Sequence, residues 1–185
     1  MRKTGVLNMR KYLLIQLAFL TLFSHAAYNL PSAAKVGSVV QVQTYATASA
    51  TPNINTQMTT SGQPTNTEGT QVMTLDFTPT KATNKIVVVV NVSFSLAAGD
   101  RILTTALFRN STSGAVAAMG GNLSASGMSG NTTLIYEEIP GSTSLISYKV
   151  RCGASSGTWG FMAIGGGAAY GTASRSSIVI YEIEV

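Results

Sequence analysis

The stretch Phe77–Leu96, FTPTKATNKIVVVVNVSFSL, constrains the fold more than any other part of the chain. Ile86-Val87-Val88-Val89-Val90 is a run of β-branched side chains, stiff at χ1 and suited to a pleated surface, so it is expected as strand. Asn91-Val92-Ser93-Phe94-Ser95-Leu96 then alternates polar and apolar, the period-2 signature of a strand with one wet face. The expectation is a strand covered on both faces at its start and on one face toward its end, as in the middle of two packed sheets. Pro79 and Ala82-Thr83-Asn84 supply the turn before it, and Lys85 guards its first position.

Other segments read as strands arranged about this one. Val36–Thr44 is the first, and Gln71–Phe77 precedes the central strand Lys85–Leu96. The stretch Ala46–Gln71, rich in Thr, Ser, Asn, Gly and Pro, is expected as a long surface loop with a short strand near Ile54–Thr59. Arg101–Arg109 follows a Gly99-Asp100 turn, and Val116–Met119 is a weak strand inside a small-residue segment. Asn131–Ile139 and Thr143–Cys152 flank Pro140-Gly141 and are expected to pair as a hairpin. Gly157–Ile164 carries Trp159, Phe161 and Met162. Arg175–Val185 closes the chain, with Ile178, Ile180, Tyr181 and Ile183 competing for its inner face. No helix of useful length is signalled after residue 26, and about eight strands with turns fit a sandwich or jelly roll.

The formal charge of +5 invites a nucleic-acid reading, but four of the twelve basic residues (Arg2, Lys3, Arg10, Lys11) stand in the first eleven positions. Beyond residue 26, eight basic residues face seven acidic ones, a balance of +1 with no basic patch. Those early charges precede the apolar run Tyr12–Phe23, and Ser24-His25-Ala26 places small residues where a signal peptidase reads. Residues 1–26 are therefore expected as a secretory signal cleaved before Ala27, with an apolar run of twelve residues that is too short to remain as a membrane span. Residues 27–35 form a lead-in, and residues 36–185 the β domain.

Groups that titrate or attack are scarce. The single histidine, His25, lies in the leader, so no Ser-His-Asp or Cys-His arrangement forms beyond it. Cys152 reads as a small buried hydrophobe, with an intermolecular disulfide as the alternative in an exported protein. Ligand count excludes structural zinc, and no Asp-x-Asp-x-Asp-Gly spacing marks a calcium loop. Glu137 with Asp76 or Asp100 could supply a glycosidase pair on paper, although adjacent Glu137 and Glu138 point to opposite faces; the plainer reading of the acidic residues is solvated strand and turn charges. Gly165-Gly166-Gly167 lacks the Lys-Ser/Thr of a phosphate loop. Trp159, Phe161 and Tyr170 are the candidate ligand-binding residues, as an aromatic platform for a sugar ring, against the alternative that they fill a core or an interface. No catalytic residue, metal or cofactor is assigned.

The order of VGSVVQVQT (Val36–Thr44), FTPTKATNKIVVVV (Phe77–Val90), Leu107-Phe108-Arg109, SYKVR (Ser147–Arg151) and SRSSIVIYEI (Ser174–Ile183) resembles a β-sandwich module of bacteriophage tail fibres and other virion surface proteins. The resemblance covers Val36 to Val185 and carries over no catalytic residue. It implies an antiparallel, two-sheet, jelly-roll-like sandwich, homotrimeric, at a virion surface or secreted, that contacts a host cell-surface protein or glycan. Loops Thr47–Thr70, Gly114–Gly130 and Gly165–Ser174, gathered at one end, are the expected contact surface. The leader departs from that family's pattern and suits the alternative of an exported, self-associating adhesive subunit.

Overall fold

The computed structural model describes residues 37–96, 101–124, 127–164, 167–171 and 173–185. The expected signal and lead-in lie outside these residues. Among these residues twelve strands are formed: β1 (Val39–Thr47), β2 (Thr51–Ile54), β3 (Thr70–Phe77), β4 (Lys85–Leu96), β5 (Arg101–Arg109), β6 (Ala117–Leu123), β7 (Ser129–Glu138), β8 (Ile146–Ala154), β9 (Trp159–Phe161), β10 (Ala163–Ile164), β11 (Gly167–Ala168) and β12 (Ser176–Ile183). No helix occurs among the described residues.

The eight longer strands pair as nested antiparallel couples. The first pairs with the last (β1 with β12), the second with the seventh (β3 with β8), the third with the sixth (β4 with β7) and the fourth with the fifth (β5 with β6). Cross-pairs β12 with β4 and β8 with β5 complete two sheets, β1-β12-β4-β7 and β3-β8-β5-β6. This is the wiring of a jelly roll, a double hairpin rolled into a two-sheet sandwich. Short β9 extends the first sheet by pairing Phe94–Leu96, on the edge of β4 that β12 leaves free, and β2 pairs outside it.

The core fills from both sheets by alternation. Ile86, Val88, Val90, Val92 and Phe94 of β4 meet Ile178 and Ile180 of β12, Leu134 of β7, and Leu103, Leu107, Ile146, Tyr148 and Val150 from the second sheet. The burial sequence along β4 runs opposite to expectation. Alternation holds from Lys85 to Ser93, with Val87 and Val89 half-buried on the outer face, and both faces close only at Phe94-Ser95-Leu96. The cause is tertiary: the segment after β9 folds over Ser95, whose hydroxyl donates to the Ala163 carbonyl.

The Pro140-Gly141 hairpin does not form. β7 pairs with β4 in one sheet and β8 with β3 and β5 in the other, so this segment arches across the sandwich. Gly141 adopts φ 70° and donates its N–H to the Ala82 carbonyl at 3.0 Å, tying the arch to the turn before β4. Inward-facing Ile146, Tyr148, Val150 and Cys152 bury against the opposite sheet, a gain that side-by-side pairing with β7 would forfeit.

Two acidic residues expected in solvent instead hold the sandwich together. Glu182 of β12 is fully buried beside Ile178 and Ile180, while Tyr181 and Ile183 turn outward. Its carboxylate accepts from Thr80 N–H (2.9 Å), Thr80 Oγ1 (2.7 Å), Lys81 N–H (3.1 Å) and Asn84 Nδ2 (2.7 Å). Burial by itself raises the carboxyl pKa, but these donors outweigh it and leave the value below the usual range. At the same end of the sandwich, Glu138 of β7 accepts from Arg109 Nε of β5 at 2.8 Å and from the Tyr148 hydroxyl of β8, joining the two sheets. Burial first, and then the Glu138 carboxylate, push the Tyr148 phenol far above its ordinary value. Between the sheets Thr105 Oγ1 and Thr132 Oγ1 lie 2.6 Å apart, and Cys152 Sγ is 3.6 Å from Thr105 Oγ1. Cys152 is buried in the core, and burial raises its thiol to about 12, which suits the reading as a small buried hydrophobe over that of an intermolecular disulfide.

Candidate functional site

The long polar segment between β1 and β3 is a strap rather than a free loop. After β2, residues 55–69 cross the outer face of the second sheet, where Met58 is buried with Ala106, Phe108 and Ala115. Outward-facing Ala106 and Phe108 of β5 would otherwise meet water, so the strap covers apolar surface that the alternation of β5 exposes.

Several anchors hold it. Met58 N–H donates to the Ala154 carbonyl at 3.0 Å and Gly69 N–H to the Gln57 carbonyl at 2.8 Å. Arg151 donates through Nε to the Glu68 carbonyl (2.7 Å) and through Nη2 to the Gly69 carbonyl (2.8 Å). Trp159 Nε1 donates to the Thr56 carbonyl at 3.1 Å, and the Glu68 carboxylate accepts from Thr65 N–H at 2.7 Å. Farther along, Gln63 Nε2 reaches the Ala115 carbonyl and Asn66 Nδ2 the Thr112 carbonyl, each at 2.9 Å.

Close approach depends on Gly153, where an added Cβ would sit 2.9 Å from the Met58 backbone nitrogen and 2.8 Å from its Cβ. Gly153→Ala is therefore expected to lift the strap, costing about 1–3 kcal/mol. The check is limited proteolysis: cleavage within residues 57–69 should accelerate while the remaining strands stay protected. Unchanged cleavage would show that the strap does not depend on this contact.

Between the strap and the sheet lies an open groove of about 370 Å³. One wall is Thr59, Thr60, Gly62 and Pro64 of the strap; the other is Ile102 and Thr104 of β5 with Ala118, Met119, Gly120 and Asn122 of β6. None of these side chains ionises. Hydroxyl and amide groups alternate with exposed methyl and thioether surface, a lining suited to an uncharged ligand with both polar and apolar edges. On the far side of the strap, a second recess of about 460 Å³ includes Thr56, Gln57, Thr67, Glu68 and Ser155. Two of the three expected recognition stretches, Thr47–Thr70 and Gly114–Gly130, thus meet on the outer face of the second sheet.

The aromatic trio is not brought together. Trp159 (0% exposed) and Phe161 are buried in the core, whereas Tyr170 is 79% exposed. A stacking platform needs accessible ring faces, and the first two lack them. Glu137 lies on the outer face of the first sheet, 3.0 Å from Lys85 Nζ, and Asp76 is exposed on the second sheet. These two carboxylates do not flank one cleft, and Asp100 falls outside the described residues. The strap groove was not legible from spacing. Its one sequence signal was Met58, an apolar residue inside an otherwise polar stretch.

Fold and groove together define the class: an eight-stranded jelly roll with a strapped outer face. No family model matches the chain, and no curated protein matches it. Two solved structures of infectious bursal disease virus contain similar chains. For the Gt strain the TM-score is 0.43 at 15% identity, over 80% of this chain and 39% of that one. For the Gx strain the values are 0.41, 16%, 80% and 38%. The present chain thus matches about two fifths of the length of each.

Proposed function

We propose that this protein is a non-enzymatic virion-surface module whose strap groove binds a neutral glycan displayed on a host cell. The observation that carries this reading is the groove itself: one wall from the strap and one from β5 and β6, lined by hydroxyl, amide and apolar groups without an ionisable side chain. Jelly rolls serve both as capsid domains and as lectins, so one scaffold accommodates both halves of the proposal. The recognition energy comes from hydrogen bonds to Thr59, Thr60, Thr104 and Asn122, with sugar C–H faces resting on Met119 and Ile102.

The test is attachment of the labelled full chain to host cells pretreated either with glycosidases or with proteases. Loss of attachment after glycosidase treatment is expected, with attachment to cells retaining their glycolipids after proteolysis. Attachment abolished by protease and unaffected by deglycosylation would overturn the glycan assignment in favour of a protein receptor.

A further inference from the structure

β1 and β7 are the outer strands among the four main strands of the first sheet, and β3 and β6 those of the second. Three of these edges carry features that discourage pairing with another chain. β3 bears Asp76 and β7 bears Glu137 and Glu138, while β6 is interrupted by Gly120-Gly121 and lies along β7. β1, VVQVQTYAT, has no charge, proline or glycine over its nine residues. Val39, Val40, Val42 (50%) and Tyr45 are all exposed on it. Its bulge is confined to Val39–Gln41, and pairing with β12 is regular from Gln41 to Thr47. Among the described residues no strand pairs with its other edge.

We propose that β1 pairs antiparallel with β1 of a second copy about a two-fold axis, fusing two first sheets into one. An antiparallel edge is complementary to its own copy by symmetry, each strand presenting to the other the same row of N–H and C=O groups. Neutral side chains remove the repulsion that normally opposes such an encounter. The outer face supplies apolar continuity. Val42 stands beside Tyr181 and Val87, and Thr44 beside Val179 and Val89, so the two-fold joins these rows across both copies. This inference is independent of the groove, which lies on the other sheet.

The experiment is sedimentation equilibrium of the full chain and of two charge variants, Val42→Lys/Thr44→Lys and Val42→Glu/Thr44→Glu. Both positions are exposed on the outer face. With the axis at Val42, Gln43 or Thr44, each variant sets like charges opposite one another. Each alone should self-associate about tenfold more weakly than wild type, and an equimolar mixture should regain association. Ile135→Lys, at the far edge of the same face, should associate like wild type. A monomeric wild type, a mixture that stays dissociated, or equal weakening by Ile135→Lys would overturn the proposal.

Discussion

Replacing Glu182 with alanine is expected to lower the unfolding free energy by about 3–5 kcal/mol, because it removes the one acceptor shared by several neutral donors. The substitution leaves two backbone N–H groups, the Thr80 hydroxyl and the Asn84 amide without this acceptor. For a domain whose whole stability is of the order of 5–15 kcal/mol, this is a large share. The pH dependence follows from the depressed carboxyl pKa. The stabilisation is fully present above the unfolded-state value of about 4.3 and is lost as pH falls through the lower folded-state value. Urea unfolding from neutral to acid pH should show wild type losing stability across that window, with Glu182→Gln less stable throughout and flatter over the same interval. Equal acid sensitivity in wild type and Glu182→Gln would remove Glu182 from the account.

The second large effect concerns Trp159. Trp159→Ala should cost about 3–5 kcal/mol, because it empties a fully buried aromatic position where β9 continues the first sheet. It also frees the Thr56 carbonyl, which receives the indole N–H at 3.1 Å and ties the start of the strap to the core. Trp159→Phe keeps most of the packing and should lose about 1–2 kcal/mol. Chemical denaturation separates the two. A ligand-binding role for this ring would give the reverse pattern, with stability intact and binding lost.

The roll was largely legible in the sequence because its long strands carry their own pattern. Ile86–Val90 is β-branched throughout, and Ile178 and Ile180 alternate on the last strand, so their existence and approximate bounds follow from local chemistry. Pairing is another matter. Pro140-Gly141 marks a reversal of the chain equally well for a hairpin within one sheet and for an arch between two, and burial of Tyr148 against the opposite sheet decides between them. Glu182 was misread for a related reason. A carboxylate on an alternating strand looks solvated until the turn at Thr80–Asn84, about a hundred residues earlier in sequence, delivers its donors. The groove was hidden because it depends on where the strap lands, and only Met58 records that landing in the sequence. Trp159 and Phe161 were credible as ligand contacts by residue type, yet the same large apolar faces that stack on sugars also fill cores, and here they do.

The most direct measurement is titration of the full chain and of Ala118→Arg against a panel of neutral and anionic glycans. Ala118 is exposed in the groove and outside the core, so the arginine fills the site without disturbing the fold. Binding is expected with neutral glycans alone and is expected to be abolished by Ala118→Arg. Binding that survives the substitution, or that appears only with anionic glycans, would contradict it.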